Sequence, residues 1–137
     1  MTSTELGALP GRTLRRDHMI FAAAMAMETA HLLDDALFDP ARGTADVPDA
    51  AVALLMGLVA VAVYGRLAVW ARAVLAGLFG LAGLVGGLDA HVLHAIQNGA
   101  TGADYTGFGH AAAGLVLLML SAVLVASRRG ARTAAAH

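Results

Sequence analysis

Met19-Ile20-Phe21-Ala22-Ala23-Ala24-Met25-Ala26-Met27-Glu28-Thr29-Ala30-His31-Leu32-Leu33-Asp34-Asp35 begins as an unbroken apolar run and ends in carboxylates and an imidazole. At the helical period of about 3.6 residues, Glu28, His31 and Asp35 share one face, whereas Asp34 turns aside. An ionised carboxylate at the centre of a membrane helix costs ~2.5–3.5 kcal/mol, so these groups need partners elsewhere in the chain. Later apolar segments offer Asp89, His91, His94 and His110. The pattern predicts an all-α integral membrane four-helix bundle with both termini cytoplasmic.

Composition agrees with this expectation. Of 137 residues, 58% are hydrophobic and 14% charged, and the mean hydropathy is +0.69. Soluble domains have about 25% charged residues. A net charge of −1 gives no electrostatic case for nucleic acid. All nine basic residues are Arg, which together with abundant Ala and Gly fits a high-GC bacterial genome and a plasma-membrane protein. The chain has no Cys, so disulfides, thiolate ligands and Cys nucleophiles are excluded. No Gly-x-Ser-x-Gly elbow and no Lys-bearing phosphate loop is present.

Taken in order, residues 1–16 read as a polar cytoplasmic tail ending in Arg15 and Arg16. A transmembrane domain over 17–127 follows, with spans at 17–38, 49–65, 73–97 and 107–127, and then a cytoplasmic tail at 128–137. Pro40 ends the first span, and Pro48 fits the first turn of the second. Asn98-Gly99 fits a helix C-cap. A cleaved signal peptide around Met19–Met27 is the rival for the first span, and would leave three. With four spans, eight of the nine arginines fall on one side, and only Arg42 lies opposite. By the positive-inside rule the loops at 39–49 and 98–106 then face outward.

The third span carries Gly77, Gly80, Gly83, Gly86 and Gly87. Small residues let helix backbones approach closely. Packing within one bundle accounts for them; a homo-oligomer formed through this glycine-rich helix is the alternative. Ala30-His31-Leu32-Leu33-Asp34 also echoes Ala90-His91-Val92-Leu93-His94, as a parallel repeat of two hairpins would.

Depth groups the polar residues. Counting 1.5 Å per residue from the nearest arginine, Glu28 lies ~18 Å in, His31 ~22 Å, Asp89 ~25 Å, and His91 and His110 ~27–28 Å. Residues from three helices thus converge toward the outer leaflet of a core ~30 Å thick. Glu28-x-x-His31 places a carboxylate and an imidazole one turn apart, a spacing used in metal-binding helical bundles. His91-x-x-His94 and His110 add nitrogens, while Asp34, Asp35 and Asp89 are supporting polar groups. The expected metal ligands are therefore Glu28, His31, His91, His94 and His110, a donor set suited to Zn, Fe, Mn or Cu. Haem would use two of the histidines as axial ligands, and the surrounding acids fit it less well. Two other functions compete with metal binding. One is an accessory or scaffolding subunit whose polar groups only tie helices together. The other is a proton- or ion-coupled transporter, against which the inner half of each span lacks ionisable groups.

Gly102-Ala103-Asp104-Tyr105-Thr106-Gly107, the Ala-Gly-Leu-rich run after it and Ser127-Arg128-Arg129 resemble the last membrane helix of small actinobacterial membrane regions, some of which precede an α/β-hydrolase domain. The resemblance covers residues 98–129. It implies a membrane module of actinobacterial type, and no hydrolase residue carries over.

Overall fold

The structure, a computed structural model, describes residues 10–38 and 47–134. Those residues form four helices and no strand. Helix α1 runs Pro10–Phe38, α2 Val47–Tyr64, α3 Val69–Asn98 and α4 Gly102–Ala134. The expected loop positions Asp39, Pro40, Arg42 and Asp46 lie outside the described residues.

Local chemistry explains where the helices depart from the expected bounds. α1 starts at Pro10 rather than at 17. Proline is pre-set for a first turn, where its missing N–H costs nothing. Trp70, expected in a connection, lies in the first turn of α3. The connection is shorter, closed by Arg66 N–H donating to Val63 O at 2.8 Å and Leu67 N–H to Tyr64 O at 3.2 Å. α4 begins at Gly102, five residues before the expected span. The Asp104 side chain caps the start: Thr101 donates its backbone N–H (2.7 Å) and its hydroxyl (2.8 Å) to Asp104 Oδ2, one half of a capping box. At the far end α4 continues past Ala126, with Ser127 and Thr133 hydroxyls donating to carbonyls of the preceding turn. α3 ends as expected at Asn98, with Gly99 at φ 84°.

α3 is not uniformly wound. Leu88–Val92 form a π turn, and the Leu93 N–H reaches back five residues to Leu88 O. Such turns absorb one extra residue and recur at functional sites. His91 sits inside it.

The α3–α4 pair forms the main seam of the bundle. The backbones touch: a Cβ on Gly80 would meet Gly114 O and Leu118 N at 2.8 Å, and one on Gly87 would press into Ala111. All five α3 glycines face α1 or α4, Gly77, Gly83 and Gly86 against side chains. Ser121 adds a bond by donating its hydroxyl to Ala73 O at 2.7 Å. α1 packs against α4 and α2, while α2 leans on α1 and makes no comparable seam with α3 or α4.

The apolar core occupies the arginine-rich end, around Phe21, Tyr64, Ala76 and Leu117. Phe21 stacks on Tyr64 with ring centroids 4.1 Å apart. Around this stack Arg72 meets Asp17 at 3.5 Å, and His18 Nε2 donates to Val61 O at 3.0 Å. These contacts pin α1, α2 and α3 together at that end. The opposite end is held by polar side chains instead.

Two of the four helices are long and apolar enough to cross a membrane: Val69–Asn98 and Asp104–Ala131. In α2 the apolar run is shorter, Ala50–Tyr64. α1 fails that test because its apolar half gives way to Glu28, Asp34 and Asp35.

Candidate metal centre

Helix periodicity brings the polar groups to one place. Glu28, His31 and Asp35 recur along one face of α1, and that face meets α3 and α4. The result is a buried polar column: Glu28, His31, Asp35, His91 and Asp104 are 6%, 3%, 3%, 7% and 2% exposed. Burial of this many ionisable groups is tolerated only where they satisfy one another or bind a cation.

His31, Asp35 and His91 form a group that could hold a metal ion, with one donor atom from each lying within 4.8 Å of the others. His31 Nε2 stands 3.5 Å from Asp35 Oδ2, and His91 Nε2 stands 3.9 Å from the same oxygen. The two imidazoles meet edge to face, centroids 4.7 Å apart. Tetrahedral zinc with ligands at ~2.0–2.1 Å sets donor atoms ~3.3–3.4 Å apart, so the two histidine–Asp35 distances of 3.5 and 3.9 Å are near those of a bound ion.

Outer partners fix which nitrogen of each ring faces inward. Thr106 donates its hydroxyl hydrogen to Asp34 Oδ2 at 2.7 Å. Toward His31 that hydroxyl can therefore only accept, so the ring donates Nδ1–H to Thr106 Oγ1 at 3.4 Å. The Nε2 of His31 is left facing Asp35. His91 is arranged in the same sense, with Nδ1 3.5 Å from Asp104 Oδ1. A carboxylate only accepts, so Nδ1 carries the proton and Nε2 the lone pair. His91 Nε2 is buried and has no hydrogen-bond partner among the described residues. Histidines held through Nδ1 with Nε2 free are the usual presentation of imidazole to a metal.

The remaining expected ligands fall into other groups. Glu28 Oε2 lies 2.5 Å from His110 Nδ1, making a pair of its own beside the metal group. The His110 ring is 4.5 Å from that of His31. His94 is half-buried and shares Asp104 with His91, its Nδ1 3.4 Å from Oδ1. Asp34 supports His31 through Thr106. Asp89 is exposed and joins neither group.

Asp35, expected as a supporting group, stands among the nearest donors. Asp104 and Thr106, expected in the loop at 98–106, lie on α4. The Thr101-x-x-Asp104 box was legible and would have carried the helix back to include both.

Glycines shape the pocket. His91 lies directly on Gly107, where a Cβ would overlap its ring. The Glu28 carboxylate occupies the space that a Cβ on Gly83 would need. Without these two positions the rings and the carboxylate could not approach the neighbouring helix.

No protein-family model, curated protein or solved structure matches the chain.

Proposed function

We propose that this chain is a small multi-pass protein of a bacterial plasma membrane that binds a divalent metal ion through His31, Asp35 and His91. The observation that carries this reading is the buried Nε2 of His91, which has no hydrogen-bond partner among the described residues and is turned toward Asp35 by Asp104 behind it. Together with His31 Nε2, two imidazole nitrogens face one carboxylate. A cation between them would draw on all three donor atoms at once.

Two imidazoles and one carboxylate suit Zn²⁺ or Fe²⁺ and leave a coordination position for another ligand. Asp104 and the Asp34–Thr106 pair would orient the rings. Glu28, His94 and His110 lie outside this set of three.

The membrane placement draws support from the outward faces of the bundle. Leu55, Leu58 and Val59 on α2, Leu78 and Leu81 on α3, and Met119 and Val123 on α4 are all exposed. Apolar side chains on the outside of three helices suit lipid better than water. The arginines at the core end would then mark the cytoplasmic side, and the polar column would open outward.

Metal analysis of protein purified with added zinc, then stripped of loose metal, tests the assignment. About one ion per chain is expected for the wild type, and none for a His31→Ala, His91→Ala double variant of unchanged helix content. Equal, metal-free results for the two would reject it.

A further inference from the structure

At the arginine-rich end a groove of about 510 Å³ runs along the seam between α3 and α4. Small residues set its floor. Ala73 on α3 faces Ser121 on α4, whose hydroxyl donates to Ala73 O. Gly77 lies one turn further along, and a Cβ there would stand 3.2 Å from Ser121 Oγ. Leu78 and Leu81 rise beside the floor as an exposed apolar wall. Trp70, Arg128 and Arg129 stand at the mouth.

Length and charge together select the occupant. Trp70 and Leu81, the outermost lining residues on α3, are about 17 Å apart along the helix at 1.5 Å per residue. That is roughly one leaflet of a hydrocarbon core ~30 Å thick, the depth that an acyl chain fills. An exposed indole at the mouth suits the level of the lipid headgroups. Among the described residues lining the groove there is no carboxylate, so nothing there offsets Arg128 and Arg129. The guanidinium fork matches the oxygens of a phosphate. Neighbouring features lack this combination. Arg72 is buried and meets Asp17 at 3.5 Å. The groove between α1 and α4 holds Asp17 beside Arg16, one charge of each sign.

We infer that the α3–α4 groove seats one anionic phospholipid of the cytoplasmic leaflet, with its phosphate on Arg128 and Arg129 and an acyl chain along Leu78 and Leu81. The inference rests on the membrane placement proposed above. It is independent of the metal group, which lies toward the other end of the bundle.

Trp70 is the sole tryptophan of the chain, so its fluorescence reports occupancy of the mouth. The full chain would be reconstituted in phosphatidylcholine vesicles containing phosphatidylglycerol with brominated acyl chains, and separately with brominated phosphatidylcholine over the same range of mole fraction. Bromine quenches an indole only at close range. Attraction to two arginines predicts that half-maximal quenching needs about tenfold less of the anionic lipid than of the neutral one. A double variant, Arg128→Gln with Arg129→Gln, should remove that difference. Arg15→Gln with Arg16→Gln takes the same charge from α1 at the same end and should keep it. Equal quenching by the two lipids in the wild type, or equal loss of preference in the two double variants, would overturn the inference and leave the membrane placement standing. A chain that stays out of the vesicles, with Trp70 unquenched by either lipid, would overturn both.

Discussion

His91 offers Nδ1 to Asp104 Oδ1 at 3.5 Å, and this contact determines which nitrogen turns toward Asp35. Asp104 is itself held from behind, since its other oxygen takes both the N–H and the hydroxyl of Thr101. Helix initiation and ring orientation therefore depend on a single side chain.

Replacing that carboxylate separates the two roles. Asp104→Asn keeps an oxygen for Thr101 but loses the charge that favours an Nδ1 proton on His91. Loss of an outer partner of this kind lowers metal affinity by ~10–100-fold. Competition with a chelator of known affinity reads the change, and circular dichroism should show unaltered helix content.

Thr106 gives a spectroscopic check. Its hydroxyl links Asp34 to His31, and the direction of that link places the His31 proton on Nδ1. Nitrogen-15 shifts of the imidazole should therefore report an Nδ1–H tautomer in the metal-free wild type. Thr106→Val removes the acceptor, and a mixture of tautomers is expected. An Nε2–H ring in the wild type would contradict the geometry.

Glycine substitutions on α4 make a matched pair. A methyl group at Gly107 would overlap the His91 ring, whereas one at Gly102 would meet nothing within 4 Å. Gly107→Ala should cost about tenfold or more in metal affinity by displacing a ligand. Gly102→Ala should leave affinity unchanged.

The α3–α4 seam should be intolerant of volume. Gly114 has Leu84 N and Gly80 O inside the space of any added Cβ. Overpacking typically costs ~1–3 kcal/mol, and collision with backbone puts Gly114→Leu at or above the upper end. Thermal unfolding in detergent measures it. Gly130→Leu, at a position with open space, is the control.

Topology can be read with reporters. A fluorescent reporter that matures only in the cytoplasm, fused after residue 137, should be bright. An export-dependent phosphatase inserted at 98–101 should be active. The reverse pattern would invert the orientation assigned from the arginines.

Helix number and the polar face of α1 were legible because they depend on local order. The 3.6-residue period placed Glu28, His31 and Asp35 on one side before any packing was known. Which group would meet which was not legible. Glu28 and His31 looked like joint ligands, one turn apart, yet Glu28 pairs with His110 from α4. That choice depends on the helix crossing at Gly83, where the missing Cβ lets the carboxylate in. Asp104 was hidden for a different reason. Its position among Gly, Ala and Thr resembles a loop, and only the reciprocal spacing to Thr101 betrays a helix start.

The winding of Leu88–Val92 has a mechanical consequence. Tightening that turn to ordinary α geometry would rotate everything beyond it by about 100° relative to the rest of α3. His94 and the end of the helix would swing away from Asp104 in one motion, loosening the support behind His91. Under the proposed metal reading, a local twist within one helix would weaken the hold of His91 on the ion.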